Sequence, residues 1–219
     1  VAAGGVQLLR RSRGYAPAPI ELALRFDPPV LAYGAHLKNT FCLARGYQDF
    51  VSHHIGDLEN LETLESLREG IAHYGRLFDI APEAIAYDLH PGYLATQAAL
   101  ASPIAAKVGV QHHHAHIASV IAEHGLAGPV IGVAADGTGY GLDGAIWGCE
   151  LLVATLAEFT RVGHLAYVPL PGGDAAVRQP WRVAAAYLAQ LYGPEFANMD
   201  LPFVRGLDRA RWQVLAQMS

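Results

Sequence analysis

Two hairpins, each heading its own run of elements, narrow the folds open to this chain of 219 residues. In the first run, residues 31–37 and 40–44 are β-prone and flank Lys38-Asn39, a hairpin turn, and residues 48–52 read as a third strand. Leucines at 61, 64 and 67, then Ile71, Tyr74 and Phe78, predict a helix over 60–78. Residues 84–88 read as strand, 93–101 as helix and 106–110 as strand, and a histidine-rich helix ends the run at Gly125. After Gly128-Pro129 the pattern restarts with a buried-looking strand over 130–135, a glycine loop over 136–141, and strands over 144–153 and 159–165. One helix over 175–192, interrupted at Pro180, and another over 209–217 follow, and the rest of the stretch after Gly193 carries no readable signal. The repetition predicts a duplicated α/β fold with its second half incomplete and its second sheet ending in an unpaired strand. The expected divisions are 1–22, a tail and linker, 23–128, a first subdomain, and 129–219, the start of a second.

Composition fills in the class. Hydrophobic residues make up 52% and charged residues 16%, enough for a sizeable core and too apolar for disorder. No apolar run reaches the ~18 residues of a membrane helix, so no membrane role is expected. Two cysteines, Cys42 and Cys149, make no disulfide framework and fit a reducing, cytoplasmic setting. A net charge of −5 gives no electrostatic reason to expect a nucleic-acid partner. The basic cluster Arg10-Arg11-Ser12-Arg13 reads as a solvated tail, residues 6–9 as the last strand of something preceding, and residues 14–19 as a stiff linker. With neither an initiating Met nor a signal-peptide pattern, the chain reads as an excised or processed piece.

Chemistry concentrates in a few places. Four of the eleven histidines stand in Gln111-His112-His113-His114-Ala115-His116. Residues four apart share a helix face, so His112 and His116 can aim their imidazoles at one metal ion, while His113 and His114 point elsewhere, to supporting or surface roles. The competing reading is a partly exposed helix start with extra histidines packed on the sheet. Asp136 ends a strand and can ligate or orient a metal, and Gly137, Thr138 and Gly139 can let backbone N–H groups approach a phosphate. A plain glycine hairpin is the alternative. Lys38, Asn39 and Thr40 at the matching first turn offer a cation and two hydrogen-bonding side chains, or a solvated tip. Asp88 and His90 end a strand, where ligand-facing residues gather, or form a satisfied core pair. Asp174 reads as a helix N-cap or a site residue, and Arg178 and Arg182 as anion contacts or partners for acids. Neither cysteine sits in a nucleophile pattern, and Cys42 reads as core packing.

Six motifs, in order, resemble the hydrogenase maturation carbamoyltransferase family, HypF: Lys38-Asn39-Thr40-Phe41-Cys42-Leu43, Ile55-Gly56-Asp57-Leu58-Glu59-Asn60, Asp88-Leu89-His90-Pro91, Gln111 to His116, Asp136 to Gly141, and Pro169-Leu170-Pro171-Gly172-Gly173-Asp174. Gly92, Cys149 and Gln179 depart from the residues usual there. The resemblance implies the tail of a YrdC-like domain over 6–19, followed by the first part of a Kae1-like domain of the actin/Hsp70/sugar-kinase superfold. It implies carbamoyl transfer from carbamoyl phosphate, through carbamoyl adenylate made with ATP and Mg²⁺, to the C-terminal cysteine of a partner, HypE. The product feeds the cyanide ligand of the [NiFe]-hydrogenase centre. Carried over by motif, His112, His116 and Asp136 are metal ligands for one divalent transition metal, iron or zinc. Lys38, Asn39, Thr40, Gly137, Thr138 and Gly139 line the phosphate cleft, and Asp88, His90 and Asp174 are the catalytic candidates. The family's later nucleotide-gripping glycine motif and remaining metal ligand fall beyond Ser219, so this chain is expected not to complete the transfer alone. The alternatives are the sister enzymes that transfer threonylcarbamoyl to tRNA, and a partner-binding remnant without chemistry.

Overall fold

A computed structural model describes residues 11, 12 and 14–217. The strand expected over 6–9 lies outside them, as do Arg10 and Arg13 of the basic cluster. Arg11 is no solvated tail: its guanidinium donates to the carbonyls of Tyr15 (2.7 Å) and Ala18 (2.6 Å), folding the linker back on itself. The chain forms two compact units that divide after His164.

The first unit begins with strands β1 (Ile20–Tyr33) and β2 (Phe41–Val51), helix α1 (Leu61–Phe78), strand β3 (Ala84–Asp88), helix α2 (Leu94–Ala101), strand β4 (Ala106–Val110) and helix α3 (His112–Glu123). Its four-stranded sheet runs β2-β1-β3-β4, with β2 antiparallel to β1 and the other neighbours parallel. Two expectations are corrected. The third strand over 48–52 is the far end of β2, where an irregularity near Gly46 (φ 61°) shifts the alternation so that Phe50 joins Phe41 and Leu43 in the core. β1 also starts at Ile20, eleven residues before the expected run over 31–37, paired through Ile20↔Asp49 and then interrupted by irregular register.

α1 shows why the leucine rhythm worked. Leu64, Leu67 and Tyr74 are buried, while Leu61 at the first turn is 60% exposed. Asn60 caps the helix, its Oδ1 accepting from the Thr63 N–H (2.9 Å). The core it joins contains Phe41, Leu43, Leu58 and Ile85, each contributing on the order of 1.5–3 kcal/mol by leaving water.

One buried group works against this core. Asp49 on β2 is 9% exposed, and its Oδ1 is enclosed with no hydrogen-bond partner among the described residues. Burial pushes its carboxyl up to about 6. Because the unfolded carboxyl ionises near 3.9, the native state holds this proton longer, and stability falls as pH rises from about 4 to about 6, by at most about 3 kcal/mol. Asp49→Asn removes that slope; denaturant midpoints at pH 4 and pH 7 differ less in the variant than in the parent.

The first unit continues with β5 (Val130–Ala134), the short pair β6 (Gly139–Tyr140) and β7 (Ile146–Trp147), then β8 (Glu150–Ala154) and β9 (Phe159–His164). The strand expected over 144–153 is split at Gly148-Cys149: β7 turns back on β6, while β8 pairs with β5 and β9. Among the described residues β5 and β9 are the two edges of this three-stranded sheet, each paired on one side as in any open sheet. The sheet is two-faced. Leu152, Ala134 and Ala154 turn inward onto Ile117 and Ile121 of α3, and Ile131 (80%) and Val133 (62%) face out. Gly132 is required here, since the Ile117 side chain fills the space a Cβ would need. That close approach seats α3 directly over β5.

The second unit is helical: α4 (Asp174–Arg178), α5 (Trp181–Tyr192), a 3₁₀ turn (Gly193–Asn198), α6 (Pro202–Arg205) and α7 (Arg209–Ala216). Pro180, without an N–H, separates α4 from α5 as expected. The unpredicted 3₁₀ turn brings Phe196 into a small core with Ala185 and Val204, edge-on to Trp212 at 5.6 Å. None of the described helices is long and apolar enough to cross a membrane.

Candidate metal centre

Three chain segments converge at the start of α3. Gln111 caps the helix, its Oε1 accepting from the His114 N–H at 2.9 Å. One turn of helix then puts the Nε2 atoms of His112 and His116 3.2 Å apart. Asp136, two residues past the end of β5, places Oδ2 2.8 Å from His112 Nε2 and 3.6 Å from His116 Nε2. Two ligands each about 2.1 Å from an ion, at tetrahedral or octahedral angles, stand about 3.0–3.4 Å apart. The three edges of this triangle bracket that range, so the donor set fits one divalent ion with open positions.

Electrostatics agree with the geometry. His112 lies between two carboxylates: Nε2 faces Asp136, and Nδ1 donates to Asp88 Oδ2 at 2.6 Å. Hydrogen bonds to Asp136 and then Asp88 raise its pKa to about 9 against the opposing effect of burial. Asp136 is held well below the usual carboxylate range, mostly by its hydrogen bonds to His112 and His116. The site is built to concentrate positive charge at one point, and the second proton on His112 stands where a cation's charge would be. With Nδ1 committed to Asp88, a neutral His112 presents Nε2 as its ligand atom, the carboxylate–histidine arrangement that orients a metal-bound imidazole.

The other candidates divide. Asp88 orients His112, and no Asp88–His90 side-chain pair forms. The second Asp88 oxygen accepts the His90 backbone N–H instead (2.8 Å), and the His90 ring stacks on Tyr93 at 4.0 Å between centroids. Thr40 lines a groove of about 460 Å³ together with Asp88, His112 and His116. Asn39 is corrected from ligand contact to turn support, being 1% exposed with Nδ2 donating to the Ala35 carbonyl (2.7 Å). Lys38 is exposed in a left-handed conformation (φ 53°), its N–H held by Asp57 Oδ1 at 2.7 Å.

In the second loop, Gly137 and Thr138 are exposed, while Gly139 is buried under the His113 ring. His113 and His114 are not surface groups. Both are buried, and His114 Nε2–H donates to the Thr155 carbonyl (2.8 Å). Asp174 is exposed and is the first residue of α4, with Gly173 as the N-cap in its place. Arg182 ties the preceding loop to α5 through Gln179 (2.9 Å) and the Pro171 carbonyl (3.1 Å). Burial raises the Cys42 thiol to about 12, consistent with a packing role. Two contributors went unassigned in the sequence. Asp57 stood inside a quoted motif without a role, and Gln111 is not among the usual capping residues.

Two family models account for most of the chain: the HypF Kae1-like domain over residues 25–123, and the second subdomain of the carbamoyltransferase Kae1-like domain over residues 132–219. The chain belongs to the HypF carbamoyltransferase family. It is 53% identical over 188 residues to carbamoyltransferase HypF2 of Cupriavidus necator, covering 84% of this chain and 23% of that protein. It is 44% identical over 204 residues to carbamoyltransferase HypF of Synechocystis sp., covering 92% of this chain and 26% of that one. A crystal structure of full-length HypF in a phosphate- and nucleotide-bound form superposes with a TM-score of 0.84 at 44% identity, over 95% of this chain and 27% of that one. The chain thus spans about a quarter of the length of these relatives. The α/β architecture is the Kae1-like one the motifs implied, and the family is the HypF family they resembled, over the alternative of the tRNA-modifying sister group.

Proposed function

We propose that this chain is the Kae1-like part of a HypF enzyme of [NiFe]-hydrogenase maturation, and that His112, His116 and Asp136 hold one divalent transition metal, iron or zinc, beside the site of carbamoyl transfer. The observation that carries this reading is the closing of that triad from two separate elements to edges of 2.8–3.6 Å. The reaction is carbamoylation of the C-terminal cysteine of HypE. Carbamoyl phosphate and ATP with Mg²⁺ supply a carbamoyl adenylate, releasing phosphate and pyrophosphate; the thiolate sulfur then bonds to the carbamoyl carbon, and the bond from that carbon to the AMP oxygen breaks, releasing AMP. Unpaired Cys42 and Cys149 suit a cytoplasmic setting for it.

A bound divalent ion would supply Lewis-acid polarisation of a carbonyl or phosphoryl oxygen. The chain's own residues do the rest. Asp88 fixes the tautomer of His112, and the groove beside them, about 460 Å³, has the size of a small-molecule site. Thr40 on its wall and the exposed backbone of Gly137 and Thr138 are donors for phosphate oxygens, with Lys38 as a nearby cation in sequence. His90 Nδ1 accepts the Gly92 N–H (3.1 Å), which leaves the ring proton on Nε2 as a donor toward a substrate oxygen. Asp174 remains an acid–base candidate on its motif alone.

The test uses the longer HypF protein that contains this stretch. Mass spectrometry of the HypE C-terminal peptide, after incubation with carbamoyl phosphate and ATP, should show the carbamoyl mass for the parent and none for a His112→Ala/His116→Ala variant. Full carbamoylation by the double variant would remove the triad from the reaction.

A further inference from the structure

The triad has a scaffold behind it that neither the ligands nor the groove accounts for. Gln111 (3% exposed) and His113 (0%) flank the ligand His112 on the opposite, buried side of the helix start. The Gln111 amide donates twice, to the Tyr140 carbonyl (3.0 Å) and to His113 Nδ1 (3.2 Å). With Nδ1 accepting, the His113 proton sits on Nε2, which faces the Asp136 carbonyl at 3.4 Å. That bond is long, but packing reinforces it: the His113 ring lies against Gly139 so closely that no Cβ fits there. Trp147, 5.8 Å from His113 between ring centroids, occupies the space beside Gly141 in the same way and is anchored by Asp143 (2.9 Å). Both ends of the segment from Asp136 to Tyr140 are therefore gripped by residues adjoining His112 in sequence.

We propose that Gln111 and His113 are positioning residues that hold the Asp136–Tyr140 loop by its backbone, so that the Asp136 carboxylate is preset against His112 and His116 before any ion arrives. This rests on the metal reading above but is separable from it, because the contacts that hold the loop involve no metal and can be examined in protein stripped of metal. It also gives the glycines at 139 and 141 a packing role in place of the phosphate-facing one expected for this loop. Supporting groups of this kind change metal affinity by about 10–100-fold when removed.

His113→Phe keeps an aromatic ring, a somewhat larger one, and deletes both polar contacts; Gln111→Glu keeps the acceptor that caps His114 and deletes both amide donors. Two readouts are taken on the full 219-residue chain. A crystal structure of each metal-free variant should show Asp136 withdrawn from His112, and a competition titration should show Zn²⁺ bound about 10–100-fold more weakly than by the parent. His113→Gln, whose amide can still reach the Asp136 carbonyl, should recover most of the affinity. In an Asp136→Ala background, His113→Phe should cost nothing further, which a general loss of stability would not reproduce. If His113→Phe does not fold, Gln111→Glu carries both readouts. An unmoved His112–Asp136 contact in the metal-free variants, or additive losses in the Asp136→Ala background, overturns the proposal. A parent that binds no Zn²⁺ overturns the metal reading instead, with the metal-free structures still deciding whether the loop is held as described.

Discussion

His112→Ala in this chain should lower its affinity for Zn²⁺ or Fe²⁺ by about 100-fold or more, the largest effect any single substitution here is expected to have on the site. The reason is that His112 makes the shortest contacts at the centre. Its Nε2 is the closest neighbour of both the Asp136 carboxylate and the His116 imidazole, and its Nδ1 carries the bond to Asp88. Removing it takes away one ligand and leaves Asp88 without its imidazole partner. His116→Ala deletes a ligand too, but an exposed one that contacts neither Asp88 nor the buried scaffold. Its loss should weaken binding less and barely change stability. Metal content after dialysis against a weak chelator ranks the variants: parent highest, His116→Ala lower, His112→Ala lowest, with the double variant at background.

The largest effect on stability is expected from Leu152→Ala. Leu152 is fully buried on β8, between Ile117 and Ile121 of α3 and the inward alanines of β5 and β8. Truncating a leucine at such a position leaves a cavity and costs about 2–5 kcal/mol. The same contact seats the helix that carries His112 and His116 on the strand that leads into Asp136. The variant should therefore lose metal affinity along with stability although it touches no ligand. Ile131→Ala is the control. Its side chain is 80% exposed on the other face of the sheet, so stability should change by less than about 0.5 kcal/mol and metal binding not at all. Denaturant unfolding of the three proteins, with a Zn²⁺ titration of each, checks both statements.

The parts of this molecule that could be read in its sequence are those governed by a short period or by a strong stop. The leucine rhythm of α1, the apolar runs of β3 and β4, and Pro180 between α4 and α5 stand close to where their spacing put them. The pairing of His112 with His116 follows from helical repeat alone, and the structure brings Asp136 to them. What was hidden depends on which face a residue turns. His113 and His114 could be read as supporting or as surface groups, and the helix turns them inward, where Gln111 and the Thr155 carbonyl satisfy them. Gly139 looked like a phosphate-approach glycine, but its lack of a Cβ serves a ring from another element. Asn39 could be placed on its turn but not known to be buried, because burial there follows from its bridge to Gly56, a partner distant in sequence. The irregular 3₁₀ turn and α6 have no period to read, and only Phe196 and Val204 finding a common core reveals them.

The central claim is that His112, His116 and Asp136 close on a single ion. The measurement that meets it most directly is an anomalous-difference map from a crystal of this chain grown with Zn²⁺. The account predicts one strong peak about 2.0–2.2 Å from both Nε2 atoms and from an Asp136 oxygen, with solvent completing the shell. A crystal with no peak at that point, or with zinc held by one histidine and surface carboxylates elsewhere, would contradict it.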